Sequence, residues 1–214
     1  MIQFGIDNYT GFILACIILN MTPGVDTFYI LTRSISQGKR AGLVSVAGIM
    51  SGCVVHVLCA AFGLSIILTT SALVFNLVKW GGALYLMYMG IKALMDKEPV
   101  FDNENQSMSG RSLAKIYKQG VITNVLNPKV ALFFLSFLPQ FVHAGAAARY
   151  GALPFLLLGG TFLVTGTLWC LVLTWGAARM TTTLRENHQV GKWMQKASGL
   201  IFIAFGLKLA LDSR

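Results

Sequence analysis

The chain has 214 residues, 55% of them apolar and only 12% charged, with a mean hydropathy of +0.67 and a formal net charge of +9. Soluble domains carry about 25% charged residues, so this composition excludes an ordinary water-soluble domain and points to an integral membrane protein. The positive charge does not imply nucleic-acid binding, because the basic residues sit in short clusters between apolar runs and leave no basic face or domain.

A helix needs ~20 predominantly apolar residues to cross a bilayer. Six such spans are predicted, over approximately residues 9–32, 41–68, 72–95, 120–142, 151–178 and 194–211. The first is not expected to be a cleaved signal peptide: Asp7 precedes it, no Lys or Arg does, and its apolar core is too long. Its middle reads "ILNMTPGVDTFYIL", with Asn20, Pro23-Gly24 and Asp26 inside apolar sequence. Span 2 carries the small-residue pair Gly48 and Gly52, suited to close helix packing, and His56 midway along. The stretch 96–112, with Pro99, Gly110 and many Asn and Ser residues, is expected to be a solvated linker. Span 4 contains Asn124 and the triplet Asn127-Pro128-Lys129. Span 5 adds Gly159, Gly160 and Gly166 beside Thr161, Thr165, Thr167 and Trp169, which suit helix packing or the lining of a pathway. Trp80, Tyr117 and Trp193 near span ends read as interfacial anchors.

Lys and Arg fall mainly on one side. The connections after spans 1, 3 and 5 hold Arg33, Lys39 and Arg40, then Lys92, Lys97, Arg111, Lys115 and Lys118, then Arg179, Arg185, Lys192 and Lys196, twelve of the 17. The positive-inside rule puts these connections in the cytoplasm, with Asn103 among them, and both termini outside with Ala146.

The chain repeats itself. "GGALYLMYMGIKALMD" from Gly81 is answered by "ASGLIFIAFGLKLALD" from Ala197, with Leu84/Leu200, Gly90/Gly206, Lys92/Lys208 and Asp96/Asp212 coinciding. "MTPGV" in span 1 is answered by "LNPKV" in span 4. Two halves of three helices each must insert in opposite senses, because three is odd. The predicted fold is therefore all-α: one transmembrane domain over 1–214, built as a 3+3 inverted repeat with helices 1 and 4 interrupted. Repeat 1 covers about 9–96, a cytoplasmic loop about 97–118 and repeat 2 about 119–212. Paired interruptions are the best sequence-level pointer to a transporter's binding site.

Proline removes a backbone donor, and a broken helix frees carbonyls and amides that lipid cannot satisfy. Such groups persist where protein, water or a ligand completes them. The half-helices that begin at Pro23-Gly24 and at Pro128 point partly positive ends at the breaks, which suits the carboxylate of a zwitterion. Asp26 is placed to take an ammonium or a proton, Asn20, Asn124 and Asn127 offer amide donors and acceptors, and Lys129 supplies the opposite charge. Desolvation favours a protonated Asp26, while helix-end amides and Lys129 favour its carboxylate, and a proton-coupling group needs such opposed terms. His56 is a second coupling candidate.

These segments resemble a known family. "NMTPGVDTFYILTRSISQGKRAGL", "GVITNVLNPKVALFFLSFLPQF" and "GALYLMYMGIKAL" are similar to the LysE/RhtB superfamily of bacterial amino-acid exporters, over nearly the whole chain. Val25 stands where many members have a second proline. The resemblance implies export of small neutral amino acids, of the homoserine, threonine or leucine type, or of derivatives, across the bacterial cytoplasmic membrane, driven by the proton motive force. It brings no cofactor, and a homodimer through a Gly-rich face is compatible with it.

The four cysteines, Cys16, Cys53, Cys59 and Cys170, lie in apolar spans without CxxC spacing and are expected to be buried free thiols. A thiol–disulfide carrier would need a cysteine in both interrupted helices, and span 4 has none. An intramembrane hydrolase is disfavoured because Ser51 and His56, five residues apart, point about 140° apart round a helix. A heavy-metal exporter would need more carboxylates or thiols than Asp26 provides inside the spans.

Overall fold

The computed structural model describes residues 4–64, 72–95, 112–143 and 145–186 and, in the last apolar run, residues 196, 199–200, 203–204, 206–207 and 210–211. Among the described residues the chain is helical almost throughout, with one isolated β-bridge between Ile6 and Val142. Helix α1 spans Tyr9–Met21, and α2 spans Val25–Leu58 and widens into a π-helical stretch, Cys59–Leu64. Helix α3 is Ala72–Met95 and α4 is Leu113–Val125. Helix α5, Pro128–Leu132, passes into π-helical Phe133–Phe137 and a 3-10 turn, Leu138–Phe141. Helix α6 is Ala146–Tyr150 and α7 is Leu153–Glu186. Among the described residues two stretches are long and apolar enough to cross a membrane, Val25–Gly63 and Leu153–Ala177; α4 and Pro128–Phe141, bent by 45°, make a third if they form one span.

The 39 residues of Val25–Gly63 are about twice what one span requires. Gly38 divides them. Its φ of 81° and ψ of 175° lie in a region essentially reserved for glycine. Eight residues of unbroken helix would advance about 12 Å, yet the Ser34 hydroxyl lies where a Cβ on Gly42 would stand. The chain therefore doubles back at Gly38, with 25–37 laid against 39–58. At this turn the Lys39 ammonium sits 3.2 Å above the Trp175 ring centre.

Several expectations change here. The fourth helical region begins at Leu113 rather than Gly120, with the Ser112 hydroxyl accepting from the Lys115 amide at 3.4 Å, so Lys115 and Lys118 belong to a helix and not to a loop. Arg33, expected in a connection, is fully buried inside the first arm of α2. It donates to Gln119 Oε1 at 3.0 Å and lies over the Tyr29 ring. Ala146, expected outside, is 4% exposed because it packs against Gly5, so it is a poor position for a labelling probe. Cys16, Cys53 and Cys170 are buried as expected, but Cys59 is exposed on the π-helical stretch. The expected linker over 96–111, Trp193 and Lys208 lie outside the described residues.

Two apolar clusters hold the fold. One gathers Phe12, Leu19, Cys53, Val57, Ala60, Phe133, Phe134, Phe137, Phe155 and Phe162, and the other Tyr29, Ile30, Val46, Ile49, Ile116, Cys170 and Leu173. Along the chain, membership changes between Leu19 and Tyr29, between Ile49 and Cys53, between Ala83 and Ile116, between Ile116 and Val130, and between Phe162 and Cys170. The two clusters thus meet at one level, and at that level both helices are broken.

Close helix approach depends on small residues. A Cβ on Gly48 would strike the Tyr117 carbonyl, and one on Gly52 would come within 2.7 Å of the Val121 carbonyl oxygen. These two glycines bring the second arm of α2 onto α4, as expected for the pair. In the last run, Gly90 abuts the Gly199 carbonyl and Ile203, while Gly206 abuts the Ala83 carbonyl and Met87. Replacing Gly48 by alanine should cost about 1–3 kcal/mol through overpacking and lower the melting temperature in detergent. Gly160→Ala, whose Cβ would meet nothing within 4 Å, should leave it unchanged.

Candidate substrate site

Helix α1 stops at Met21 because Pro23 follows. In an unbroken helix the Leu19 carbonyl would accept from residue 23, and proline has no amide. Thr22 turns the chain, its amide reaching the Ile18 and Leu19 carbonyls and its hydroxyl donating to Ile18 O at 2.8 Å. Gly24 then opens α2 in an extended conformation (φ −159°) without a side-chain cap, and Asp26 occupies the first turn, where a carboxylate complements the helix dipole.

The second break repeats this logic. The Asn124 carbonyl would accept from residue 128, which is Pro128. Asn127 turns the chain, its amide donating to Asn124 O at 2.9 Å and its side-chain oxygen accepting from the Lys129 amide at 3.0 Å. Asn127 thus fills the helix end that the sequence offered to a substrate carboxylate.

The two breaks lock into each other. Asn124, before the second break, donates through Nδ2 to Asp26 Oδ2, after the first, at 2.8 Å. Lys129, after the second break, returns to the first and donates to Thr22 O at 2.9 Å and Leu19 O at 3.3 Å. Among the described residues no ion pair joins Lys129 to Asp26; the ammonium is spent on backbone carbonyls. Gly24 makes room for it, since a Cβ there would lie 3.2 Å from Lys129 Nζ. Asn124, Asn127 and Lys129 are all buried.

His56 Nε2 lies 3.0 Å from the Asn124 carbonyl oxygen, and its ring stacks at 6.2 Å on Phe134. A carbonyl only accepts, so Nε2 carries the proton. Asn20 is drawn aside: its Nδ2 donates to Thr165 Oγ1 at 3.2 Å and it packs against Gly166. Thr161 pairs with the Tyr9 hydroxyl at 2.8 Å, and Thr167 bonds only its own helix at Leu163 O. Ser51 bonds Ala47 O and receives the Tyr117 hydroxyl, apart from His56.

Three buried polar atoms at this junction have no protein partner: Asp26 Oδ1, Asn124 Oδ1 and Asn127 Nδ2. Their chemistry follows from their bonded neighbours. Asn124 must turn its amide toward the carboxylate, which leaves its oxygen as an acceptor. Asn127 must turn its oxygen toward the Lys129 amide, which leaves its nitrogen as a donor. The Asn127 side chain also comes close to Asp26 without reaching hydrogen-bonding geometry. Two acceptors and one donor, all desolvated, face the same junction. Sequence reasoning named these side chains but missed Leu19 and Thr22, whose contribution is backbone carbonyl and leaves no mark in side-chain chemistry. The rule that proline orphans the carbonyl four residues earlier would have found Leu19.

The LysE type translocator family matches residues 17–213. A leucine efflux protein of Klebsiella pneumoniae is 27% identical over 208 residues, covering 97% of each chain, and one of an Enterobacter species is 27% identical over 210 residues with the same coverage. A Bacillus subtilis relative, the uncharacterized membrane protein YrhP, is 27% identical over 198 residues, 89% of this chain and 92% of its own. No solved structure matches. The match spans both breaks and almost every apolar run, and the chain belongs to the LysE type translocator family.

Proposed function

We propose that the protein is a secondary exporter of small neutral amino acids, of the leucine, threonine or homoserine type, or of their derivatives, working across the bacterial inner membrane in antiport with protons. The carrying observation is the unpartnered trio at the two breaks. Asp26 Oδ1 and Asn124 Oδ1 suit an ammonium, and Asn127 Nδ2 suits a carboxylate oxygen, so the site fits the shared backbone of amino acids. A proton on Asp26 turns an acceptor into a donor and removes the negative charge, which releases an ammonium. Loading the proton and loading the substrate then exclude each other. The leucine efflux relatives favour an aliphatic side chain, which the neighbouring apolar clusters would accommodate.

A single domain over 1–214 with six spans in two inverted repeats fits this reading. Three pairings support it. Gly24 and Lys129, which touch, answer each other in the two Pro-containing segments. The Thr22-to-Leu19 bond matches the Asn127-to-Asn124 bond. The Gly90 contacts with Gly199 and Ile203 match the Gly206 contacts with Ala83 and Met87. The alternation of the apolar clusters supports opposed directions for successive helices, with Gly38, Lys39 and Arg40 on the cytoplasmic side and both termini outside. A homodimer would use faces other than Gly48 and Gly52, which α4 already covers.

In an export-deficient bacterium, expression should restore growth under leucine-, threonine- or homoserine-type overload. No protection by any amino acid, with no labelled amino acid leaving loaded cells, rejects the reading. Asp26→Asn should insert normally, lose proton-driven efflux by at least roughly a hundredfold and retain slow substrate exchange, whereas Asp26→Glu should be impaired but active. Wild-type efflux by the Asn variant would move coupling to His56. For orientation, a single cysteine at exposed Ala148 should react with an impermeant thiol reagent in intact cells and one at Asn103 should not; the reverse pattern overturns the proposed sidedness.

A further inference from the structure

Each proline at the breaks removes the amide four residues on from one carbonyl, which keeps the amide three residues on, and a nitrogen side chain from elsewhere adds a second bond to each. The Asn124 carbonyl receives His56 Nε2, a directional ring N–H. The first break is different. Two carbonyls, Leu19 O and Thr22 O, converge on one atom, Lys129 Nζ, at 3.3 and 2.9 Å. Paired carbonyls at an unwound helix in a membrane protein are the donor set that coordinates a monovalent cation, and ammonium is a compact point charge of that kind. Lys129 is 7% exposed and its side chain enters beside Gly24, where any Cβ would crowd the ammonium at 3.2 Å. Gly24 is extended, a backbone any residue adopts, so its lack of a side chain serves this passage and not a turn.

We infer that the Leu19 and Thr22 carbonyls form a monovalent-cation site which the chain fills with its own Lys129 ammonium. A tethered cation cannot be exchanged with solution, so sodium or potassium has no place at this break in the wild-type protein. Asp26, not engaged by Lys129 in an ion pair, stays available at the same junction. The inference concerns the resident cation alone and holds whatever the transported molecule is.

The test is the melting of purified protein in detergent, which needs no substrate. Wild type should melt at the same temperature in sodium, potassium or choline chloride at equal ionic strength. Lys129→Ala should melt lower in choline chloride, by roughly 5 °C or more for the loss of a buried, hydrogen-bonded charge. Sodium, potassium or ethylammonium chloride should restore it saturably, as ligands that bind only the folded state do. Lys129→Gln, which keeps hydrogen-bond donors without charge, should remain below wild type. The inference is overturned if no cation restores Lys129→Ala, if Lys129→Gln equals wild type, or if sodium or potassium stabilises wild type over choline. The last arm stands even when neither variant is recovered folded.

Discussion

In hydrocarbon a backbone carbonyl without a donor has no water to turn to, and proline creates such a carbonyl four residues before itself. Pro23 and Pro128 take that donor from Leu19 and Asn124, whose carbonyls keep the amides of Thr22 and Asn127 three residues on. The fold answers by crossing the two breaks: Lys129 reaches back to the first and Asn124 reaches forward to Asp26. Each break is thus bonded to the other, and the two Pro-containing segments of this chain form one structural unit although more than 100 residues of sequence part them.

The crossing decides where everything else sits. Along the chain each break falls between a stretch that feeds the Phe-rich cluster and one that feeds the Ile- and Tyr-based cluster. Among the described helices, α2 and α7 contribute to both. The start of the chain is fastened to the Phe-rich end: Asp7 N donates to Phe141 O and His143 N to Gly5 O, both at 2.8 Å, around the Ile6–Val142 bridge. Lys39 on Trp175 marks the opposite end. The junction of the two breaks thus lies between two separately packed apolar seals.

Much of this was legible in the sequence because proline, glycine and intramembrane charge each have few explanations. The two interruptions, the Gly48/Gly52 contact and the meeting of Asp26, Asn124, Asn127 and Lys129 at one junction all follow from residue type and spacing. The third helix, 72–95, was read to its observed ends. What escaped has a common cause. The extension of α4 back to Leu113 rests on a Ser112 cap preceding a lysine-bearing turn that composition reads as loop. Arg33 looks like a loop charge until Gln119 and Tyr29 enclose it. Asn20 was grouped with the junction by spacing from Pro23, yet Thr165 of α7 holds it. The last two misses depend on partners far away in the chain, which periodicity cannot supply, and the first on a cap that composition does not weigh.

The two clusters share no residue, and this makes the protein easy to tune by volume. Trimming a methyl from one cluster weakens that seal by about 0.5–1.5 kcal/mol and leaves the other untouched. About 1 kcal/mol shifts a two-state balance roughly fivefold. Substitutions such as Ile49→Val or Leu158→Val, outside the two breaks, would then shift the balance between the two ends of the protein. Sequence drift among apolar residues can in this way reset the resting state without touching the chemistry at the breaks.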